Sequence, residues 1–406
     1  MAIEVTLLGS LMGRFTNKVV NEQANEATPL MKSGTIKKLV KKDKLGVVNI
    51  SAGEMSGVSF LADGGTLPRG GDSLPVQGTY FLRPLFGRVK IPRLAAEMCQ
   101  SSEDAVDIVE EQLRVCGQTM GRMLARAMIG SQIGTPAASV SAGDTTFTVA
   151  DPSPWRNGMN FEVWDGSTAV EGTTEATLLR VTKVAIPVDG VGTTTITFTG
   201  SGAGAGSAIA WTTSYTFNLR GSKTTNATMV SLADIASASA SLYGVAATGN
   251  EWFGVADATA QPVTVGAWRS FLTTIIRRRG EAPSHIFMNR KNLERYSNQM
   301  INQRRFVDAS TVDPVGKKLP EFEGIPIVTD ENIGDAEVFF FNDKDIKLHV
   351  GREFAADFDG ANKKKMDMSA ALISDSEFVY DLQVWGAFNM RAERRNGLGY
   401  LSNVTA

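Results

Sequence analysis

The sequence predicts a mixed α+β chain interrupted by an all-β module, on three observations. From Glu103 to Ile129 apolar residues recur in steps of three and four, the pattern of one long amphipathic helix. At Thr135 the composition shifts: residues 135–221 hold 17 Thr and 11 Gly but only 11 charged residues, arranged in short alternating runs that read as strands. Beyond residue 222 helical periods and short apolar runs mix without the regular strand–helix repeat of a doubly wound nucleotide fold.

The 406 residues suffice for two or three ordinary domains, or one large domain with insertions. With 43% hydrophobic and 21% charged residues the chain is a packed globular one. Lys and Arg total 41 against 43 Asp and Glu, net −2, which argues against nucleic-acid binding as the main task. No run of 18 apolar residues marks a membrane span, and Met1–Ser10 lacks the basic and apolar regions of a signal peptide, so synthesis in a cytoplasm is expected. Catalytic parts are few. Cys99 and Cys116 are the two cysteines and His285 and His349 the two histidines, and no HExxH, CxxC, GxxxxGK[ST] or GxSxG occurs. Both histidines sit in apolar strand patterns and read as structural. The expectation is a non-enzymatic protein with no cofactor and no metal.

In chain order, residues 1–50 read as an arm. They carry eight basic and four acidic residues, with Lys37, Lys38, Lys41, Lys42 and Lys44 clustered. Lys37, Lys38, Lys41 and Lys44 are spaced to share one side of a short helix; a solvated face is the simpler reading, a polyanion or an acidic neighbouring subunit the alternative. Residues 51–93 read as a long hairpin, Val58–Leu61 and Thr79–Ile91 being strands around a tip rich in Gly, Pro and Asp. Its strands carry Phe60, Tyr80, Phe81, Leu82, Leu85 and Phe86, more apolar surface than a lone ribbon can hide, so a second surface must cover it.

Residues 94–134 hold the long helix, with Val106, Val109, Leu113, Cys116, Met120, Leu124 and Ala127 on one face. Ser101 and Asp104 form an N-terminal capping signal, and Gly130 and Gly134 end the helix. At roughly 40 Å it would act as a spine through more than one layer. Residues 135–221 then form a small β-barrel or sandwich, with strands expected at Thr146–Val149, Met159–Val163, Thr177–Val181, Thr193–Thr199 and Ala208–Phe217. The glycine run from Gly200 to Gly206 lies between strands, without the helix N-terminus or lysine of a phosphate cradle, and reads as a turn. In 222–375 helices are expected at Met229–Tyr243, Val263–Arg279 and Lys291–Gln303, and strands at His285–Met288, Ile325–Val328, Val338–Phe341 and Ile346–Val350. Residues 376–406 add Phe378–Val384 and Ala387–Arg394.

This order of arm, glycine-tipped hairpin, spine helix, β module and mixed domain resembles the HK97-fold major capsid proteins of tailed bacteriophages. The local resemblance is strongest in the C-terminal half: Pro283–Asn289 (PSHIFMN) with its following helix, Phe322–Asp330 (FEGIPIVTD), Val338–Asn342 (VFFFN), Ile346–Val350 (IKLHV) and Val384–Arg395 (VWGAFNMRAERR). Met288, Asn289, Gly324, Pro326 and Asn342 stand at the signature positions. The resemblance implies an N-arm, an E-loop hairpin, a spine helix, a peripheral P-domain and an apical A-domain, with 135–221 as an insertion. It implies a shell subunit that assembles through pentamers and hexamers into an icosahedral particle enclosing double-stranded DNA, located in the virion. Partners would be many copies of the chain, a separate scaffolding protein, a portal and a decoration protein. Phe60, Leu61, Tyr80, Phe81 and Leu82 would be inter-subunit hairpin contacts, and the five lysines arm contacts. No Lys lies between Val58 and Val89, a departure that argues against lysine crosslinking at the tip. An encapsulin-like cellular cage and a β-rich tail protein are the alternatives.

Overall fold

The structure, a computed structural model, describes residues 36–41, 45–50, 60, 63, 76–92, 102–174, 177–187, 192–200, 206–221, 229–247, 252–301, 320–357, 372–373 and 379–405. Four strands come first: β1 (Lys37–Val40), β2 (Leu45–Ile50), β3 (Val76–Phe81) and β4 (Arg83–Pro92). The helix α1 (Ser102–Ile129) follows, 28 residues without a break, as the three–four periodicity requires. The threonine-rich region supplies β5 (Gln132–Gly134), β6 (Thr146–Val149), β7 (Asn160–Asp165), β8 (Thr168–Glu171), β9 (Leu179–Ala185), β10 (Thr194–Thr199) and β11 (Thr216–Leu219). The remainder runs α2 (Leu232–Ala236), β12 (Val255–Asp257), β13 (Gln261–Pro262), α3 (Val265–Arg279), β14 (His285–Met288), α4 (Arg290–Ile301), β15 (Glu321–Phe322) and β16 (Ile325–Thr329). It closes with β17 (Val338–Phe341), β18 (Ile346–Asp357), β19 (Leu372–Ile373), β20 (Val379–Ala392), β21 (Gly399–Leu401) and β22 (Val404–Thr405).

The 14-residue β20 is the axis of a five-stranded sheet. It pairs antiparallel with β4 from Val379↔Pro92 to Phe388↔Arg83, and with β18 from Ile346↔Ala392 to Asp357↔Gln383. The sequence pattern divides β20 at Gly386, but the strand runs through. A Cβ at Gly386 would stand 2.6 Å from the Phe388 ring and 3.0 Å from Phe354, so the glycine admits aromatic packing rather than a turn. Helix α1 lies against β4, burying Leu113, Met120 and Leu124 in the largest core cluster. Burial pushes the half-buried Cys116 thiol up to about 11, leaving it a small apolar side chain at neutral pH. The side chains of Val106 and Val109, expected on the same face, lie outside the described residues.

Two helical expectations are corrected. The lysine-rich segment is not helical: Lys37–Val40 is extended and pairs in parallel with β18, Lys37↔Lys347 to Val40↔Val350. A sheet edge satisfies its backbone groups, which charge spacing does not register. In Met229–Tyr243 only Leu232–Ala236 is helical, capped by a reciprocal Ser231–Asp234 box. The serines beyond compete for backbone groups: Ser237 ends the helix and its hydroxyl accepts from Ala240 N at 3.2 Å. In the hairpin β3 pairs with β2, in register from Leu45↔Phe81 to Ile50↔Val76; of the strand expected at Val58–Leu61 all but Phe60 lies outside the described residues.

β5–β11 form a separate seven-stranded sheet, in the order β5-β11-β7-β9-β10-β6 with β8 on β7. Phe147, Phe161, Phe198 and Phe217 from the strands, with Trp155 and Trp211 from the connections, give it a core of its own. This sheet is tied to the loop before β17. The Asp151 carboxylate accepts from Asp335 N at 2.9 Å, and Arg126 of α1 donates to the carbonyls of Asn332 and Gln132. The third sheet has the order β12-β21-β17-β14-β16-β15 and a further core around Trp268, Phe340 and Ile275. Here β17 (VFFF) is buried along its whole length, as an unbroken run of strand formers implies. β21, which no sequence signal indicated, inserts between β12 and β17.

Candidate assembly surfaces

The β2–β3 ribbon has two chemically different faces. Alternation along LGVVNI and VQGTYF buries Val48, Ile50, Gly78 and Tyr80 while Leu45, Val47 and Phe81 point outward, 42%, 43% and 61% exposed. Leu45 and Phe81 are direct cross-strand partners and Val47 stands opposite Thr79, so the outward residues form one apolar ladder. An isolated ribbon gains nothing from an apolar outer face, which makes the ladder a candidate contact surface.

The root of the ribbon is fixed by polar contacts that burial makes obligatory. Tyr80, 4% exposed, is hydrogen-bonded to His349 Nδ1 at 3.0 Å, and the other ring nitrogen of His349 lies 3.3 Å from the carbonyl of Lys41. The carbonyl can only accept, so Nε2 carries the proton and Nδ1 accepts from the tyrosine hydroxyl. Burial pushes the Tyr80 hydroxyl up to about 12, against the nearby Arg391 that lowers it. Asn389 completes the root, donating from Nδ2 to Phe81 O at 2.7 Å and accepting from Val230 N at 2.8 Å.

A second apolar surface lies on the five-stranded sheet. Phe86, 62% exposed, is the register partner of half-buried Trp385, with ring centroids 5.8 Å apart. The Arg352 guanidinium stacks 3.8 Å from the centroid of the Trp385 ring, a cation–π contact that stiffens an aromatic platform.

Tyr80 is corrected from contact surface to core, because its hydroxyl and ring are spent on its own chain. Phe60 (107% exposed) and Phe81 point outward from their own chain, while Leu82 is half-buried beside Gly351. Leu61, Lys42 and Lys44 lie outside the described residues. Lys37 pairs with Asp343 at 3.1 Å; burial of Asp343 would raise its carboxyl, but Lys37 and His285 outweigh it and hold it below the ordinary value. Lys38 and Lys41 are exposed on the same edge.

The signature positions serve the third sheet. Met288 is buried at the end of β14, and Asn289 caps α4 by accepting from Asn292 N at 2.9 Å. Glu323 (φ 51) and Gly324 (φ 79) make the two-residue turn between β15 and β16; both central residues take positive φ, which explains the glycine. Pro326 follows in β16, opposite Glu321. Buried Asn342 accepts from Lys344 N at 3.0 Å to close the turn after β17.

Sequence reasoning missed Leu45, Val47, Arg352 and Trp385. The alternation in Leu45–Ile50 was the available signal, obscured because the segment adjoins the lysine cluster and reads as arm. Among the described residues no helix is long and apolar enough to cross a membrane, and no group of three or more His, Cys, Asp or Glu is placed to hold a metal ion.

No protein-family model matches the chain, and no curated protein matches it. Solved structures do. A chain of the cyanophage A-1(L) capsid asymmetric unit aligns over 94% of both chains with a TM-score of 0.56 at 9% identity. A capsid chain of a native GTA particle (TM-score 0.44, 10% identity, 94% and 91% covered) and the SrpI encapsulin of Synechococcus elongatus (TM-score 0.44, 10% identity, 93% and 88% covered) align less closely. The cyanophage alignment shows the fold: this chain has the α+β fold of a capsid subunit, the HK97-like class that the sequence resembles.

Proposed function

We propose that this protein is a major capsid protein: it self-assembles through pentamers and hexamers into an icosahedral shell that encloses double-stranded DNA in a tailed-phage virion. The observation that carries this reading is the pair of exposed apolar surfaces on a capsid fold, the Leu45–Val47–Phe81 ladder and the Phe86–Trp385 platform. The two surfaces differ in shape and chemistry, so the ladder of one copy would meet the platform of a neighbour head to tail. Heterologous contacts of this kind close into rings and shells when their rotation permits. The near-neutral charge fits a container whose contents must not be gripped. In this reading residues 135–221 are an insertion, and a scaffolding protein, a portal and a decoration protein complete the particle.

Electron microscopy of the purified, concentrated chain tests it. Shells or five- and six-membered rings are expected from the native sequence. The double variant Leu45→Ser, Phe81→Ser should stay unassembled with an unchanged circular dichroism spectrum, since both side chains are outward. A native chain that stays monomeric when concentrated and when co-expressed with its cognate scaffold refutes the proposal. Shells that carry protein cargo and no DNA from infected cells would assign it to the encapsulin-like cages.

A further inference from the structure

The ribbon rests on a residue in an uncommon backbone conformation. Tyr243 has φ 56 and Gly244 φ 79, the two central positions of a tight turn closed by Leu242 N to Val245 O and Val245 N to Leu242 O, both 3.0 Å. Glycine takes the second position readily, but a bulky aromatic at the first is rare. Such a residue persists only where its surroundings over-determine it, and Tyr243 is held from every side. Its hydroxyl donates to Met390 O at 2.7 Å and accepts from Ala392 N at 3.0 Å, anchoring it to β20. Its ring lies 4.9 Å from Tyr80 and 6.3 Å from Trp252.

The same residue faces the ribbon with its backbone and its Cβ. The carbonyl of Tyr243 accepts from Thr79 N at 3.1 Å. A Cβ placed on Gly78 would stand 2.9 Å from the Tyr243 Cβ and 3.2 Å from Ile50 Cδ1, so β3 seats at this depth because residue 78 has no side chain. Strand β3 thus meets Tyr243 at three successive residues: Gly78 by shape, Thr79 by a hydrogen bond and Tyr80 by ring contact.

We infer that Tyr243 is a positioning residue for assembly: its side chain, held by the left-handed turn, forms the socket that sets the angle at which the β2–β3 ribbon is presented. This rests on the reading of the ribbon as an inter-subunit arm, and it adds which residue sets the arm's direction. Without the socket the ribbon would keep its outward ladder but lose its fixed direction.

Residue-resolved hydrogen exchange on the unassembled full-length chain tests the socket independently of assembly. Tyr243→Ala should speed exchange at Thr79, Tyr80 and their β2 partners by at least about tenfold, while amides of β6 and β10 keep their native rates. Should alanine prevent folding, Tyr243→Gly retains the positive-φ turn and removes the whole side chain, and the same acceleration is expected. Gly78→Ala approaches from the ribbon side and should give the same pattern. Native ribbon rates in folded Tyr243→Gly, or equal acceleration of ribbon and β module, overturn the inference. Electron microscopy reads the consequence: irregular or absent shells from a folded Tyr243→Gly chain. If the native chain forms no shells either concentrated or with its scaffold, the capsid reading fails and the exchange result still decides the socket.

Discussion

Replacing Arg395 with methionine should release the segment between α2 and β12. Arg395 is 0% exposed, and its guanidinium is spread over backbone carbonyls. Nε donates to Ile235 O at 2.9 Å, Nη1 to Ala240 O at 2.8 Å and Trp252 O at 3.3 Å, Nη2 to Asp234 O at 3.0 Å and Ser237 O at 2.6 Å. Three of these carbonyls lie at the C-terminal end of α2, where a cation is favoured. Methionine keeps much of the stem's volume and removes every donor. Each charge-assisted bond is worth about 1.5–3 kcal/mol. Against the sum stands the recovered cost of burying an ion, several kcal/mol; burial already pushes this guanidinium's pKa down, against the opposing pull of Tyr243 and Asp234. The balance is a loss of about 3–5 kcal/mol. Lysine should cost nearly as much, because a point ammonium cannot span carbonyls arranged for a planar fork. A chain with several separate cores need not unfold in one step, so local hydrogen exchange over 229–247 and 252–257 is the assay. The loss corresponds to acceleration of about a hundredfold to a few thousandfold. Less than tenfold acceleration in Arg395→Met would refute the reasoning.

Two further predictions concern the β module. Glu171 is buried on β8 and accepts from Ala208 N at 2.9 Å and Trp211 Nε1 at 3.1 Å; burial raises its pKa and these bonds pull it only partly back. A carboxyl raised in the native state binds more protons there than in the unfolded chain, so its contribution to stability declines as pH rises from about 4.3 through the raised value. Thermal denaturation of Glu171→Gln should therefore show a flatter pH dependence over that window, and an unchanged slope would contradict the assignment. Asp151→Asn removes one of two carboxylate oxygens, which accept from Ser153 N and Asp335 N at 2.9 Å each. About 1–3 kcal/mol should be lost at this joint, read as faster exchange of the Asp335 amide with native rates in β6 and β10. Acceleration of the module core as well would show that the core depends on the joint.

Local pattern was enough for the elements whose stability is local or whose burial is complete. Helix α1 was legible because its apolar stripe persists over about six turns, β17 because its residues are uniformly apolar strand formers, and β14 because an apolar run follows His285. The separate core of the β module was legible from the break in composition at Thr135. Tertiary structure alone decided the rest, for one recurring reason: the deciding partner lies far away in the chain. Lys37–Val40 is a strand because β18, some three hundred residues later, offers an edge. Tyr80 is core rather than surface because Tyr243 and His349 close over it, and Phe81, its neighbour, stays outside because alternation sends it the other way. The outward ladder depends on the Leu45↔Phe81 register, and the burial of Arg395 depends on carbonyls from 234 to 252 that only the fold brings around it. Periodicity reports which face of an element is apolar. Only the assembled fold reports whether that face has already been covered.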